Sequence, residues 1–175
     1  FAKPAIDAAD RVLTTLLFTD IVGSTSIAER IGDTAWRGLL ARHNSVVRRE
    51  LDRYRGREVA TTGDGFFAMF DSAARAVRCA ASICVAVQSL ELTVRTAVHT
   101  GEVELVAGDV RGLAVHAAAR IGQLAKPGEV LVSATTVDLL QASGLRFEER
   151  GTHELKGLSG SRAIYAYVGD EAPPA

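Results

Sequence analysis

An unbroken run of apolar and β-branched residues, VLTTLLFT at positions 12–19, stops abruptly at Asp20. A run that short and that rich in branched side chains reads as a buried strand. The residues just after Asp20 narrow the options further. Gly23, Ser24, Thr25 and Ser26 supply a glycine and hydroxyl caps ahead of Ile27, Ala28 and Ile31. A short helix therefore starts directly after the strand and stops at Gly32. A chain that opens strand, glycine loop, helix must pack a sheet against helices.

The rest of the chain continues that alternation. Asp33 caps a longer helix whose apolar positions are Trp36, Leu40, Val47, Leu51 and Tyr54, ending at Gly56. Residues 58–62 and 66–70 flank Gly63-Asp64-Gly65 and read as a β-hairpin. Val77, Ala80, Ala81, Cys84 and Val87 recur at helical spacing. Residues 92–100 alternate as a strand, and a neighbouring strand is predicted to start at Gly101. Residues 113–124 are helical, 129–133 form a short strand after Pro127-Gly128, and 135–140 form a further helix. Two strands near 146–149 and 163–168 close the chain. This order is that of an α+β (or α/β) domain, with a ferredoxin-like, mostly antiparallel sheet and helices on one face.

Charge excludes one broad class of function. Lys+Arg number 20 against Asp+Glu 21, a net of −1. That is no basis for bulk electrostatic binding to nucleic acid or to an anionic membrane. No apolar run approaches the roughly 18–20 residues of a membrane span. The chain opens on Phe1 without a signal-peptide pattern, so it reads as a soluble domain cut from a longer protein. Cys79 and Cys84 lie on one predicted helix, roughly 8 Å apart and on different faces, so they form no disulfide. They read as small core residues in a reducing compartment.

The chemistry concentrates at two carboxylates. Asp20 ends the first strand and Asp64 tips the hairpin. If the hairpin pairs beside the first strand, both reach one end of the sheet, where they repel unless a cation sits between them. Carboxylates suit Mg²⁺ or Mn²⁺. The backbone N–H groups of the glycine loop after Asp20 suit a phosphate. Metals beside a phosphate loop point to a nucleoside triphosphate. Taken alone, Asp64 reads as a turn residue and Asp20 as a helix-approach or loop residue.

Three segments together carry a resemblance. Phe18-Thr19-Asp20-Ile21-Val22-Gly23-Ser24-Thr25, Thr62-Gly63-Asp64-Gly65-Phe66 and Val115-His116-Ala117-Ala118-Ala119-Arg120 occur in order. In these the chain resembles the class III nucleotidyl (adenylate/guanylate) cyclase catalytic domain of the mycobacterial adenylate cyclase type. The likeness implies a catalytic domain over residues 12–168, flexible ends at 1–11 and 169–175, and a head-to-tail homodimer with sites shared between two chains. It implies metal binding by Asp20, Asp64 and Ile21, two Mg²⁺ or Mn²⁺ ions per site, and phosphate contacts from Ile21, Val22, Gly23, Ser24 and Thr25. It implies that Arg120 of the partner chain stabilises the transition state, that Asp109 reads the purine and that Lys156 contacts the terminal phosphates.

Two positions depart from the family pattern. Where adenylate cyclases often carry a purine-contacting Lys, this chain has Ala60, which cannot donate a hydrogen bond. Where the family commonly has Asn, it has His116, which can still donate one to the ribose or a phosphate. Asp109 can accept from the adenine 6-amino group and would repel the guanine carbonyl. The implied activity is conversion of ATP to 3′,5′-cyclic AMP and pyrophosphate on the cytoplasmic side, with regulatory domains elsewhere in the full-length protein. A nucleotide-binding module without turnover and a guanylate cyclase stay open. No Gly-Gly-Asp/Glu-Glu-Phe signature of a diguanylate cyclase is present. Of the remaining histidines, His43 reads as surface or interface, His99 as a structural hydrogen bonder and His153 as solvated. Arg48-Arg49-Glu50 reads as a solvated helix face.

Overall fold

The computed structural model describes residues 10–155 and 157–171. In chain order the elements are β1 (Asp10–Ile21), α1 (Ser24–Ile31), α2 (Asp33–Arg53), β2 (Arg57–Thr62), β3 (Gly65–Phe70), α3 (Ala73–Ala86), β4 (Val94–Val106), β5 (Asp109–Arg111), α4 (Leu113–Leu124), β6 (Val130–Ser133), α5 (Ala134–Leu139), β7 (Leu145–Glu154) and β8 (Ser161–Asp170). The sheet order is β2-β3-β1-β4-β6-β8-β7, with β5 paired to β4. Among the described residues, only the β4–β6 pairing is parallel. This is the expected α+β architecture with a mostly antiparallel sheet. The strands run slightly past the boundaries expected at 12 and 168, starting at Asp10 and ending at Asp170. Residues 1–9 and 172–175 lie outside the described residues.

Helices cover both faces, not one. Neighbours along a strand point to opposite faces. Leu17 and Ile21 of β1 and Val94 and Val98 of β4 pack with Val47 and Leu51 of α2 and Val77, Ala80 and Ile83 of α3. Leu16 packs the other way, with Phe67, Val103 and Ala114 and Ala118 of α4. Ala97 and Leu131 likewise meet Ala117 and Ile121 of α4. The central strands β1, β4 and β6 are buried on both sides over much of their length, as their stretches of consecutive buried residues show. Full burial of each Leu or Ile contributes about 1.5–3 kcal/mol.

Gly101 does not end a strand. β4 passes through it unbroken to Val106. A Cβ at this position would lie 2.8 Å from the Ala114 Cβ. The glycine marks the close approach of α4 to the sheet rather than a turn.

Three further expectations change. Glu50 is only 7% exposed and its Oε2 accepts from Ser82 Oγ at 2.7 Å, so the Arg48–Glu50 stretch is not wholly a solvated face. His43 is fully buried. The segment Ala73–Leu90 is long and apolar enough by composition to cross a membrane. In the fold it is the core helix α3 with a following 3-10 turn, burying Ala76, Val77, Cys79, Ala80, Ile83 and Val87. His99 behaves as expected: its Nδ1 lies 2.7 Å from Ser133 Oγ inside the sheet.

Candidate active site

The β1–β3 ladder brings the two aspartates together. Thr19 pairs with Phe66 and Asp20 with Gly65, so Asp64, one residue before Gly65, stands beside the end of β1. Thr62 pairs with Gly65 and closes the hairpin around Gly63 and Asp64. Gly65 must be glycine, since a Cβ there would sit 2.8 Å from the Thr19 carbonyl oxygen. That close approach seats the turn against Asp20.

Electrostatics register the pairing. Burial, then the charge and hydrogen-bonding contact of Asp64, push the Asp20 carboxyl up to about 6. The Arg95 guanidinium and the Ile21 backbone N–H act in the opposite direction. Without a cation, the pair holds on to a proton that an ordinary aspartate would lose about two pH units lower.

The loop after Asp20 narrows the expected five-amide phosphate cradle. The Val22 N–H donates to the Thr93 carbonyl at 2.8 Å, and the Ile21 N–H serves Asp20. Gly23 takes a left-handed φ of 66° and turns the chain into α1. No side chain caps this helix start. The amides of Gly23, Ser24 and Thr25 are therefore the ones presented to an anion.

Two concavities flank the carboxylate pair. One, of about 380 Å³, is lined by Ser24, Thr25, Glu29, Trp36 and Asp64 among others. The second, of about 240 Å³, lies between β1 and α4 and contains Asp20, Thr62, Arg95 and Gln123. Arg95 was not singled out from sequence. It pairs directly across from Asp20 in the β1–β4 ladder, and its buried Nε finds no partner among the described residues. The available signal was an arginine interrupting the apolar strand pattern Leu92-Thr93-Val94-Arg95.

The other expected residues lie elsewhere. Arg120 is exposed, donates from Nη1 to Gln123 Oε1 at 3.1 Å, and lines a concavity of about 450 Å³ with Glu154, Leu155 and Gly157. His116 is exposed one turn earlier on α4. Asp109 is exposed at the start of β5. Its Oδ2 accepts from Arg111 Nε and its Oδ1 from the Val110 N–H, each at 2.9 Å, which holds its carboxyl below the usual range. Ala60 is exposed on β2, just beyond a register shift between Glu58 and Ala60. Lys156 lies outside the described residues. Arg120 and Asp20 line different concavities, and Gln123, which accepts from Arg120, lines that of Asp20.

The carboxylate pair fits a divalent cation. Mg²⁺ is commonly held by one or two carboxylates and completed by substrate phosphates and water. No cluster of three or more His, Cys, Asp or Glu occurs among the described residues.

Comparison with known proteins is consistent along the whole domain. The family model for the adenylate and guanylate cyclase catalytic domain matches residues 7–169. The chain is 31% identical over 149 residues to an adenylate cyclase of Lachancea kluyveri, covering 67% of this chain and 8% of that protein. Its fold matches the crystal structure of the adenylyl cyclase CyaB from P. aeruginosa with a TM-score of 0.86 at 22% identity, covering 93% of this chain and 97% of that one. It matches the guanylyl cyclase Cya2 with a TM-score of 0.82 at 24% identity, covering 94% and 96%. The chain spans less than a third of the length of the curated relatives it matches.

Proposed function

Because the chain belongs to the adenylate and guanylate cyclase catalytic domain family, we propose that it converts ATP to 3′,5′-cyclic AMP and pyrophosphate in a head-to-tail homodimer. The observation that carries this reading is the Asp20/Asp64 pair, held together against its own repulsion beside an uncapped helix start. In the reaction the ribose 3′-OH loses its proton, its oxygen bonds to the α-phosphorus, and the bond to pyrophosphate breaks.

Asp20 and Asp64, with the Ile21 carbonyl, would hold two Mg²⁺ or Mn²⁺ ions, which when bound would lower the hydroxyl pKa and neutralise the leaving phosphates. The amides of Gly23, Ser24 and Thr25 orient the phosphate chain, and Arg95 adds positive charge next to Asp20. The partner chain supplies Arg120 to the developing charge at the α-phosphate, His116 as a donor to the ribose, and Asp109 as an acceptor for the adenine 6-amino group. Lys156 meets the terminal phosphates. That Arg120 lines a different concavity from Asp20 and Asp64 supports the two-chain site. Phosphoryl transfer is mostly positioning and charge stabilisation, which these residue types supply.

Ala60 favours a second reading. With no donor at that position, discrimination between ATP and GTP rests on Asp109 alone, and a guanylate cyclase is the alternative. Product identification with ATP and GTP in Mn²⁺, as a function of protein concentration, tests both. Cyclic AMP forming at a rate that rises faster than linearly with protein supports the proposal. Predominant cyclic GMP selects the alternative. Metal-dependent ATP binding without product at high protein concentration leaves a nucleotide-binding module.

A further inference from the structure

Besides Arg95 Nε, two buried polar atoms next to the carboxylate pair find no partner among the described residues: Thr19 Oγ1 and His43 Nε2. Thr19 is 3% exposed and His43 0%. Their chemistry is complementary. The His43 Nδ1 lies 3.0 Å from Asn44 Oδ1, an acceptor, so Nδ1 carries the ring proton. Burial lowers the imidazole pKa and keeps it neutral. Nε2 is then a bare acceptor, and the Thr19 hydroxyl is a donor.

Their placement is complementary as well. Thr19 is directly opposite Phe66 in the β1–β3 ladder, and directly opposed residues point to the same face. Phe66 packs in the cluster that contains Val47 and Leu51 of α2. The His43 ring, one turn before Val47, lies 6.0 Å from the Phe66 ring. Thr19 immediately precedes Asp20, and Phe66 follows Asp64 by two residues. The negative charge of Asp64 also reaches His43, where it opposes the effect of burial.

We propose that one buried water molecule links Thr19 and His43, accepting from the Thr19 O–H and donating to His43 Nε2, and that this link positions Asp20 and the Asp64 turn against α2. The like charges of Asp20 and Asp64 push the strand end and the turn apart. A link anchored on α2 resists that movement and keeps the carboxylates at cation-binding separation. His43 is a positioning residue here, since it touches neither substrate nor the reacting atoms. Its consequence for metal binding rests on the proposed function, whereas the link itself does not.

The test uses Thr19→Val, Thr19→Ser, His43→Phe and the Thr19→Val/His43→Phe double variant. In metal-free and nucleotide-free protein, nitrogen NMR of His43 should show the Nδ1–H tautomer with a hydrogen-bonded Nε2. Thr19→Val should move the Nε2 signal toward that of a free nitrogen, and Thr19→Ser should leave it in place. Each single non-polar variant should lower Tm by roughly 2–4 °C, and the double variant by no more than the worse single one. Half-saturation by Mn²⁺, followed by calorimetry with a nonhydrolysable ATP analogue, should need about fivefold more metal in either single variant. An unmoved Nε2 signal in Thr19→Val, or additive Tm losses, would overturn the link. An unchanged Mn²⁺ midpoint with a coupled pair would overturn the positioning role. Wild-type protein that binds no Mn²⁺ would overturn the metal reading, and with it that role, while the NMR result still decides the link. If His43→Phe does not fold, Thr19→Val against Thr19→Ser decides both points.

Discussion

Replacing Asp64 by Asn should make the metal-free protein more stable and the metal-loaded protein less so. The Asp20 carboxyl is raised from 3.8 to about 6, first by burial and then by Asp64. A shift of that size in a group fully removed from water would cost the charged form about 3 kcal/mol. Asp20 is exposed enough for solvent to screen much of this, and only part of it comes from Asp64. A relief of about 1 kcal/mol is the reasonable expectation. In a chain of 175 residues this corresponds to a Tm increase of roughly 2–4 °C.

The pH dependence is set by the direction of the shift. A carboxyl raised in the folded state stabilises the fold fully below its unfolded value of 3.8, and that contribution is lost as pH rises through about 6. Thermal melts in EDTA should therefore show Asp64→Asn above wild type at about pH 7.5, with the gap closing toward about pH 4. Mn²⁺ at the higher pH should reverse the order, raising the wild-type Tm and leaving the variant almost unmoved. An Asp64→Asn protein no more stable than wild type in EDTA at that pH would refute the argument that the pair is held under repulsion.

Asp20→Ala and Arg120→Ala should each be nearly inactive alone, and mixing them under subunit exchange should restore activity through heterodimers with one intact site; no recovery would exclude a two-chain site. Arg95→Met should raise the KM for ATP about tenfold with a smaller change in kcat, read from steady-state kinetics, because it removes a cation beside Asp20 without touching the carboxylates. Gly65→Ala should lower Tm in a thermal melt by an amount corresponding to about 1–3 kcal/mol, because the added Cβ meets the Thr19 carbonyl oxygen at 2.8 Å. Its loss of activity should exceed what the stability change explains, since the turn that carries Asp64 is displaced.

Much of this molecule was legible along the chain because local rules decide it. Residues 12–19 are too short and too β-branched for anything but a buried strand. Gly23 turns the chain into α1 with a left-handed φ, and Gly63-Asp64-Gly65 is a local hairpin turn between β2 and β3. Asp20 and Asp64 stand where strands end, so their candidacy needed only the adjacency of two strands. The resemblance to a cyclase domain rested on such punctuated motifs, and the family match covers them all.

Features that depend on register and on packing between distant segments were not legible. Arg95 became a site residue only when β4 paired with β1 and set it opposite Asp20. The Val22 N–H is not available to an anion because the carbonyl of Thr93, far along the chain, accepts it. His43 lies between Leu40 and Val47 on the buried stripe of α2, yet its polarity argued for the surface until Phe66 packed against it. Gly101 reads as the start of a separate strand, whereas in the fold it lies within one continuous β4 with α4 pressed against it. Periodicity and turn chemistry act over a few residues and are written in the sequence. The field at Asp20 is a sum over groups brought together from β1, the β2–β3 turn and β4, and only the folded chain sets those distances.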